Sequence, residues 1–157
     1  MTLRLRPHHV LCSIGFEGSG YDGPFIANMR HIVTQVLRGP GGRDQRIWIS
    51  DTADAICAPC PKRVGLGCES QDKIDRFDRD HAEALDLTPG QALSWGECHD
   101  RAVARVVPAD LDRICAGCEW LPLGICKTRL AAAIAAQPGM EKGRPGEETA
   151  PNETPVV

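Results

Sequence analysis

The chain has 157 residues, a net charge of −3, 42% hydrophobic residues and only 4% aromatic residues. This length suits one domain with a modest core, whose stability a bound metal could support. Basic and acidic residues are interspersed, so no field of one sign attracts nucleic acid. The N-terminal segment has no apolar run, which excludes a membrane span or a secretory signal there and predicts a cytoplasmic location.

The N-terminal segment predicts a strand followed by a helix. Residues 3–6 alternate apolar and basic side chains, as a half-exposed strand does, and Pro7 can then open a helix. On that helix His8 and Cys12 are four residues apart and share a face. His8 and His9 could each ligate a metal or lie near the surface as capping residues, and Cys12 could ligate a metal or pack as a small apolar side chain.

Hydrophobic periodicity predicts the remaining elements. The segment RIWI at 46–49 alternates as a strand does and could pair with the first strand, which would bring Cys12 near Cys57. Ser94 and Glu97 form a capping box at the start of a helix. Charged residues at 72–80 are predicted to form a solvated helix face. Helices are predicted over 24–37, 71–87, 95–107 and 124–136.

The most specific feature of the chain is a cysteine pattern that occurs twice. Residues 54–68 (DAICAPCPKRVGLGC) and 112–126 (DRICAGCEWLPLGIC) both read Asp-x-Ile-Cys-Ala-x-Cys, then seven residues, then a third cysteine. A C-x-x-C pair directs two sulfurs toward one point, which suits a metal ion, a cluster or a disulfide. Six cysteines therefore form a first triad, Cys57/Cys60/Cys68, and a second triad, Cys115/Cys118/Cys126.

Each triad is one ligand short of a closed tetrahedral or cubane shell. The two cysteines outside the triads, Cys12 and Cys98, are the right number to complete both shells. The need of each triad for a partner favours Cys12 as a ligand. Cys98 borders the inner stripe of its predicted helix, so it could face a cluster or be packed in the core.

The identity of the bound group follows from the redox compartment and from the triad spacing. In a reducing cytosol, eight cysteines argue against a disulfide framework and favour metal or redox chemistry. Zinc could join the two C-x-x-C pairs, but Cys68 and Cys126 would then have no role. Three cysteines with a remote fourth are common in iron–sulfur proteins, so we predict iron–sulfur clusters of the 4Fe-4S type, with zinc and thiol–disulfide chemistry as alternatives.

Several motifs of the chain also resemble a known family. The two cysteine loops, together with RPHHVLC at 6–12, GYDGPF at 20–25 and LSW at 93–95, resemble the bacterial and archaeal proteins of domain of unknown function 1284, over about residues 3–130. The resemblance implies no established activity, although family members have been suggested to bind iron–sulfur clusters. It implies Cys12 and the six triad cysteines as ligands but not Cys98, so His8, His9 or an exogenous ligand could complete one site.

The sequence thus predicts a mainly α, small cysteine-rich metal-binding domain over 1–136, followed by a disordered tail at 137–157. We expect at most a short two-stranded β ribbon and an internally repeated C-x2-C-x7-C loop. No catalytic motif is recognised. Two functions remain: electron transfer or redox sensing through one or two thiolate-ligated clusters, with an unknown redox or protein partner and no membrane, or a zinc-binding structural and interaction module.

Overall fold

The computed structural model describes residues 2–18, 22–65 and 67–136, so the predicted tail at 137–157 lies outside the described residues. Strand β1 (Thr2–Leu5) leads into helix α1 (Pro7–Gly15), as predicted. Pro7 occupies the first turn of α1, where its missing N–H leaves no helical hydrogen bond unmade. Leu3 and Leu5 of β1 are buried. The apolar residues of the alternating pattern therefore form the side of the strand that faces the core.

The second helical segment begins at the expected place but changes its winding. Helix α2 (Gly23–Arg30) is capped by Asp22, whose carboxylate accepts a hydrogen bond from Phe25 N–H at 2.9 Å. It continues into a π-helical stretch (His31–Leu37), where the sequence predicted a single α-helix. The wider turns of a π-helix place Ile32 and Leu37, five positions apart, on the same buried side.

The sheet is larger than the sequence indicated. Strand β2 (Arg46–Ile49) pairs with β1, as expected. The two strands run parallel, with Leu3 opposite Ile47. A separate hairpin joins β3 (Arg63–Val64) and β4 (Gly67–Cys68), and β5 (Ala92–Ser94) pairs antiparallel with β2. The prediction of at most a two-stranded ribbon was therefore wrong. Strands of two or three residues are too short to show the alternation by which a strand is recognised.

Helix α1 is the central element of the fold, because it packs against three later helices. These are α3 (Gln71–Leu85), α4 (Trp95–Arg105) and α6 (Ile125–Ala136). Helix α3 ends two residues earlier than predicted, where Asp86 adopts a left-handed conformation with φ of 57°. None of the helices in the described ranges is long and apolar enough to cross a bilayer. The remaining α-helix of the described residues is α5 (Leu111–Ile114). Short 3-10 turns lie at Gly42–Asp44, Pro108–Asp110 and Leu121–Leu123.

The predicted capping box at the start of α4 is present and can be tested. Ser94 Oγ accepts a hydrogen bond from Glu97 N–H at 3.1 Å, and Glu97 Oε1 accepts one from Ser94 N–H at 3.2 Å. Replacing Ser94 with Ala should lower the free energy of unfolding by about 1 kcal/mol, measured by urea denaturation, because a helix N–H loses its acceptor. Ser94→Asp should retain most of the stability. Equal loss in both variants would contradict this role for the cap.

Candidate metal centre

A cavity of about 120 Å³ lies where the two cysteine loops meet α1. Its lining is mainly apolar and includes all three phenylalanines of the chain, Phe16, Phe25 and Phe77. Because a buried water needs only about 10–15 Å³ of such space, the cavity is far larger than one bare metal ion requires. Six of the eight cysteines, all of them free thiols, line it: Cys12, Cys57, Cys60, Cys68, Cys118 and Cys126.

Cys12 lies among the thiols of the second triad. Its pKa is raised well above the ordinary value, first by burial and then by the charges of Cys118, Cys126 and Cys115. We had expected strand pairing to bring Cys12 near Cys57. Both line the cavity, but the thiols that interact electrostatically with Cys12 are those of the second triad. The structure therefore gathers four cysteines from α1, the second loop and α6.

Close packing between α1 and α6 brings Cys126 to this group. Gly15 is the last residue of α1, and a Cβ atom built there would lie only 2.8 Å from Cys126 Sγ. A side chain at this position would therefore displace the sulfur.

Cys115 does not line the cavity, but its sulfur lies 3.4 Å from His81 Nε2. His81 is fully buried on α3 and was not singled out from the sequence, although it lies four residues from Phe77 on the inner face.

The first triad occupies a turn and the hairpin that follows it. Cys60 N–H donates to the carbonyl of Cys57 at 2.9 Å, which closes the C-x-x-C turn. Cys68 is the last residue of β4, and its N–H donates to Gln71 Oε1 at 2.9 Å. Ser70 N–H donates to Cys68 Sγ at 3.4 Å. These contacts fix the backbone and the sulfur of Cys68 at the end of the hairpin.

The two copies of the cysteine pattern have different backbone conformations. Cys118 N–H also donates to the Cys115 carbonyl at 2.9 Å, so both copies have a closed turn. However, Gly117 has a φ of +90°, and the corresponding residue in the first copy is Pro59, whose ring forbids that angle. The first copy then forms the β3–β4 hairpin, whereas the second forms a 3-10 turn. The cysteine spacing is repeated, but the loop conformation is not.

Asp54, the first residue of the repeated pattern, is a buried hydrogen-bond centre. Its side chain is fully inaccessible and accepts from the backbone N–H groups of Arg6 at 2.5 Å, Ile56 at 2.9 Å and Cys57 at 3.0 Å, and from His9 Nδ1 at 2.7 Å. Burial alone would raise the pKa of Asp54, but the His9 charge and these hydrogen bonds outweigh burial and lower the pKa to about 2. The carboxylate is therefore ionised.

The equivalent residue of the second copy has a different environment. The Asp112 side chain is 66% exposed and forms a surface ion pair with Lys127 at 2.7 Å. Exposed pairs of this kind contribute little to stability. The shared Asp-x-Ile-Cys-Ala-x-Cys pattern of the two aspartates gave no indication of this difference, because it arises from the elements packed around each loop.

A second buried group of charges lies beside the cavity. Arg6 is 1% exposed, and its Nη1 donates to Asp78 Oδ2 at 2.6 Å, while His8 Nδ1 donates to Asp78 Oδ1 at 2.5 Å. Burial lowers the pKa of His8 to about 4, so His8 is neutral and the ion pair of Asp78 is with Arg6.

The prediction of a solvated helix face was wrong for Asp78, because Asp78 lies four residues after Ile74 on the inner side of α3.

Burial raises the pKa of several thiols in and around the cavity. It raises the pKa of Cys115 to about 12, and burial together with the Asp54 carboxylate does the same for Cys57. Burial also raises the pKa values of Cys60 and Cys126. A metal must displace the thiol protons when it binds, so metal binding is coupled to proton release.

Of the other predicted ligands, the two histidines, His8 and His9, line the cavity and Cys98 does not. A ring nitrogen of His9, an oxygen of Asp54 and the sulfur of Cys57 all lie within 4.8 Å of one another. Cys98 does not line the cavity. It is fully buried in the hydrophobic core on α4, where burial raises its pKa to about 12.

Fold and site together define a small, mainly helical, cysteine-rich protein whose cavity offers metal-ligand chemistry. The chain belongs to the family described as protein of unknown function (DUF1284), which matches residues 20–124. The match is narrower than the expected range of 3–130 and leaves Cys12 and Cys126 outside it. No curated protein and no solved structure matches the chain.

The two repeat aspartates form a matched pair for a stability test. Asp54→Asn places an amide NH₂ among buried N–H donors and should lower the free energy of unfolding by about 2–3 kcal/mol. Asp112→Asn should change it by no more than about 0.5 kcal/mol, because the residue is exposed. Urea unfolding followed by circular dichroism, with metal content measured in parallel, checks both variants. Equal stabilities would show that the buried hydrogen bonds of Asp54 contribute nothing specific.

Proposed function

We propose that this protein binds iron–sulfur clusters of the 4Fe-4S type in its cysteine-lined cavity and acts in electron transfer or redox sensing. The observation that carries the proposal is the set of six thiols and one buried arginine around a single apolar cavity of about 120 Å³. Thiolates are soft ligands, which select zinc, copper(I) or iron–sulfur clusters over hard cations.

The ligand set and the cavity volume favour a cluster over zinc. Cys12, Cys118 and Cys126 line the cavity together with the first triad, and Cys115, whose sulfur contacts His81 outside this lining, would be the fourth thiol of the second shell. A single zinc ion bonded to four sulfurs at about 2.3 Å fills the space between them. The cavity offers several times the volume of one water, which suits a group of several atoms.

The buried guanidinium of Arg6 also supports an anionic occupant. Its Nε and Nη2 atoms are buried and have no hydrogen-bond partner among the residues that the structure describes. Buried donors without an acceptor are costly, and most proteins satisfy them. A cluster held by four thiolates is an anion, for which Arg6 would provide both charge and N–H donors. Cys126, in the first turn of α6, adds the positive end of a helix dipole.

The residues around the cavity would set its redox properties. When bound, a cluster supplies a one-electron couple whose potential depends on burial, charge and hydrogen bonds to sulfur. Arg6 and the Ser70 N–H on Cys68 would raise that potential, while Phe16, Phe25 and Phe77 exclude water. We propose a redox or other protein as the partner, and a reducing compartment such as the cytoplasm, in which the thiols remain available.

Anaerobic purification from iron-replete cells tests the proposal directly. The protein should be brown, with broad visible absorption, and should contain iron and acid-labile sulfide, because thiolate-bound clusters contribute all three. Iron and sulfide assays with metal analysis provide the measurement. Colourless protein that contains zinc would contradict the redox function and favour the alternative, a zinc-binding structural module.

The two cysteines outside the triads form a matched pair for the ligand assignment. Cys12→Ser should remove about half of the bound iron, because a hydroxyl does not replace a thiolate at a buried cluster. Cys98→Ser should keep the iron and cost only a little stability, since Cys98 lies in the core away from the cavity. Iron and sulfide are measured in both variants. Loss of iron in Cys98→Ser but not in Cys12→Ser would reverse the assignment.

A further inference from the structure

The first triad lacks a fourth cysteine. Of the five cysteines outside it, Cys98 lies in the core away from the cavity. Cys12 lies one turn before Gly15, where a Cβ atom would be 2.8 Å from Cys126 Sγ of the second triad. A closed shell around the first triad therefore needs a ligand that is not a thiol. Helix α1 offers one, because His9 lies one turn before Cys12 and residues three apart share a helix face.

His9 forms the kind of carboxylate hydrogen bond that metal-bound histidines usually have. Its side chain is 13% exposed, lines the cavity and has a ring nitrogen within 4.8 Å of both the Asp54 carboxylate and Cys57 Sγ. The Asp54 carboxylate can only accept, so His9 Nδ1 carries the proton of their 2.7 Å hydrogen bond. Nε2 is then the ring nitrogen left for a metal. Histidine ligands usually donate their other N–H to a carboxylate in this way.

The neighbouring candidates are less suited to this role. Asp54 accepts four hydrogen bonds, which is the full capacity of a carboxylate, so it serves as the orienting group rather than as a ligand. His8 also has its Nδ1 bound to a carboxylate, that of Asp78. However, the His8 ring packs between the rings of His9, Phe77 and His81, and no cysteine sulfur forms a compact ligand group with it in the described part of the chain.

We propose that His9 is the fourth ligand of the cluster held by Cys57, Cys60 and Cys68, bound through Nε2 and oriented by Asp54. This inference rests on the proposed function, since it assigns a ligand to one of the proposed clusters. Helix α1 then supplies the missing ligand of both triads, His9 to the first and Cys12 to the second.

This ligand set makes the two clusters chemically different. A neutral imidazole replaces an anionic thiolate, so the first cluster carries one negative charge less than the second. Replacement of thiolate by imidazole raises the reduction potential of an iron–sulfur cluster. Two clusters bound at one cavity would therefore have different reduction potentials. This difference would give electron transfer between them a direction.

Nitrogen ligation can be detected without any assay of activity. The protein is produced with ¹⁵N-labelled histidine, its clusters are chemically reduced, and pulsed electron paramagnetic resonance is recorded. We expect the strong coupling of a directly bound nitrogen, which changes with the isotope. His9→Cys should keep the iron, lose the nitrogen coupling and lower the potential of one cluster. His9→Ala should lose about half of the iron.

Two histidine variants serve as controls. His31→Gln, at an exposed position on the π-helical stretch, should keep the coupling and the iron. His8→Gln, which changes a residue of the cavity lining, should keep the coupling in the clusters that it retains. Loss of the coupling in His8→Gln but not in His9→Cys would overturn the assignment to His9. Clusters without any histidine coupling in the labelled wild-type protein would overturn the inference alone. Wild-type protein without iron would instead overturn the proposed function, so the two failures are distinguishable.

Discussion

The buried carboxylate of Asp54 is the interaction on which the rest of the site depends. Its four donors come from the first cysteine loop, from α1 and from the residue that joins β1 to α1. One ionised side chain therefore fixes the loop of Cys57 against the helix that carries His9. Its low pKa shows that these donors outweigh the cost of burying the charge. The orientation of His9 follows from the same contact.

Helix α1 extends this constraint to the second triad. It is a short helix of nine residues, yet it packs on three other helices and contributes Cys12 to the cavity. Gly15 lets α6 approach until Cys126 is within van der Waals reach of the α1 backbone. Residues one turn apart on a single rigid helix thus face two loops that are 58 residues apart in sequence. Neither loop could bring its cysteines to this cavity without α1.

The cavity combines an apolar wall with unsatisfied polar groups. Although aromatic residues are scarce, all three phenylalanines line this cavity. Burial raises the pKa values of Cys57 and Cys115, and Arg6 retains two buried nitrogen donors, Nε and Nη2, without partners in the described part of the chain. Each feature is unfavourable for folding alone, because buried polar groups need partners. A bound metal or cluster would supply the missing interactions, so metal binding and folding would be coupled.

Local patterns in the sequence determined the elements and the ligand types. Alternation gave β1 and β2 with their pairing, apolar periodicity gave the main helices, and the Ser94/Glu97 spacing gave the cap of α4. The repeated cysteine spacing indicated metal chemistry because C-x-x-C pairs converge within one turn. These features depend on neighbours in the chain, and such neighbours can be read directly from the sequence.

Only the tertiary structure decided which residues meet. Asp54 and Asp112 begin the same Asp-x-Ile-Cys-Ala-x-Cys pattern, yet one is buried under four donors and the other is exposed, because only Asp54 receives hydrogen bonds from His9 on α1 and from Arg6. Asp78 is in a charged run, but its contact with Arg6 bridges 72 residues. The sequence favoured Cys12 as a ligand and left Cys98 open, and helix packing then placed Cys12 at the cavity and Cys98 in the core. Burial and long-range pairing depend on the packing of distant elements, which local spacing does not encode.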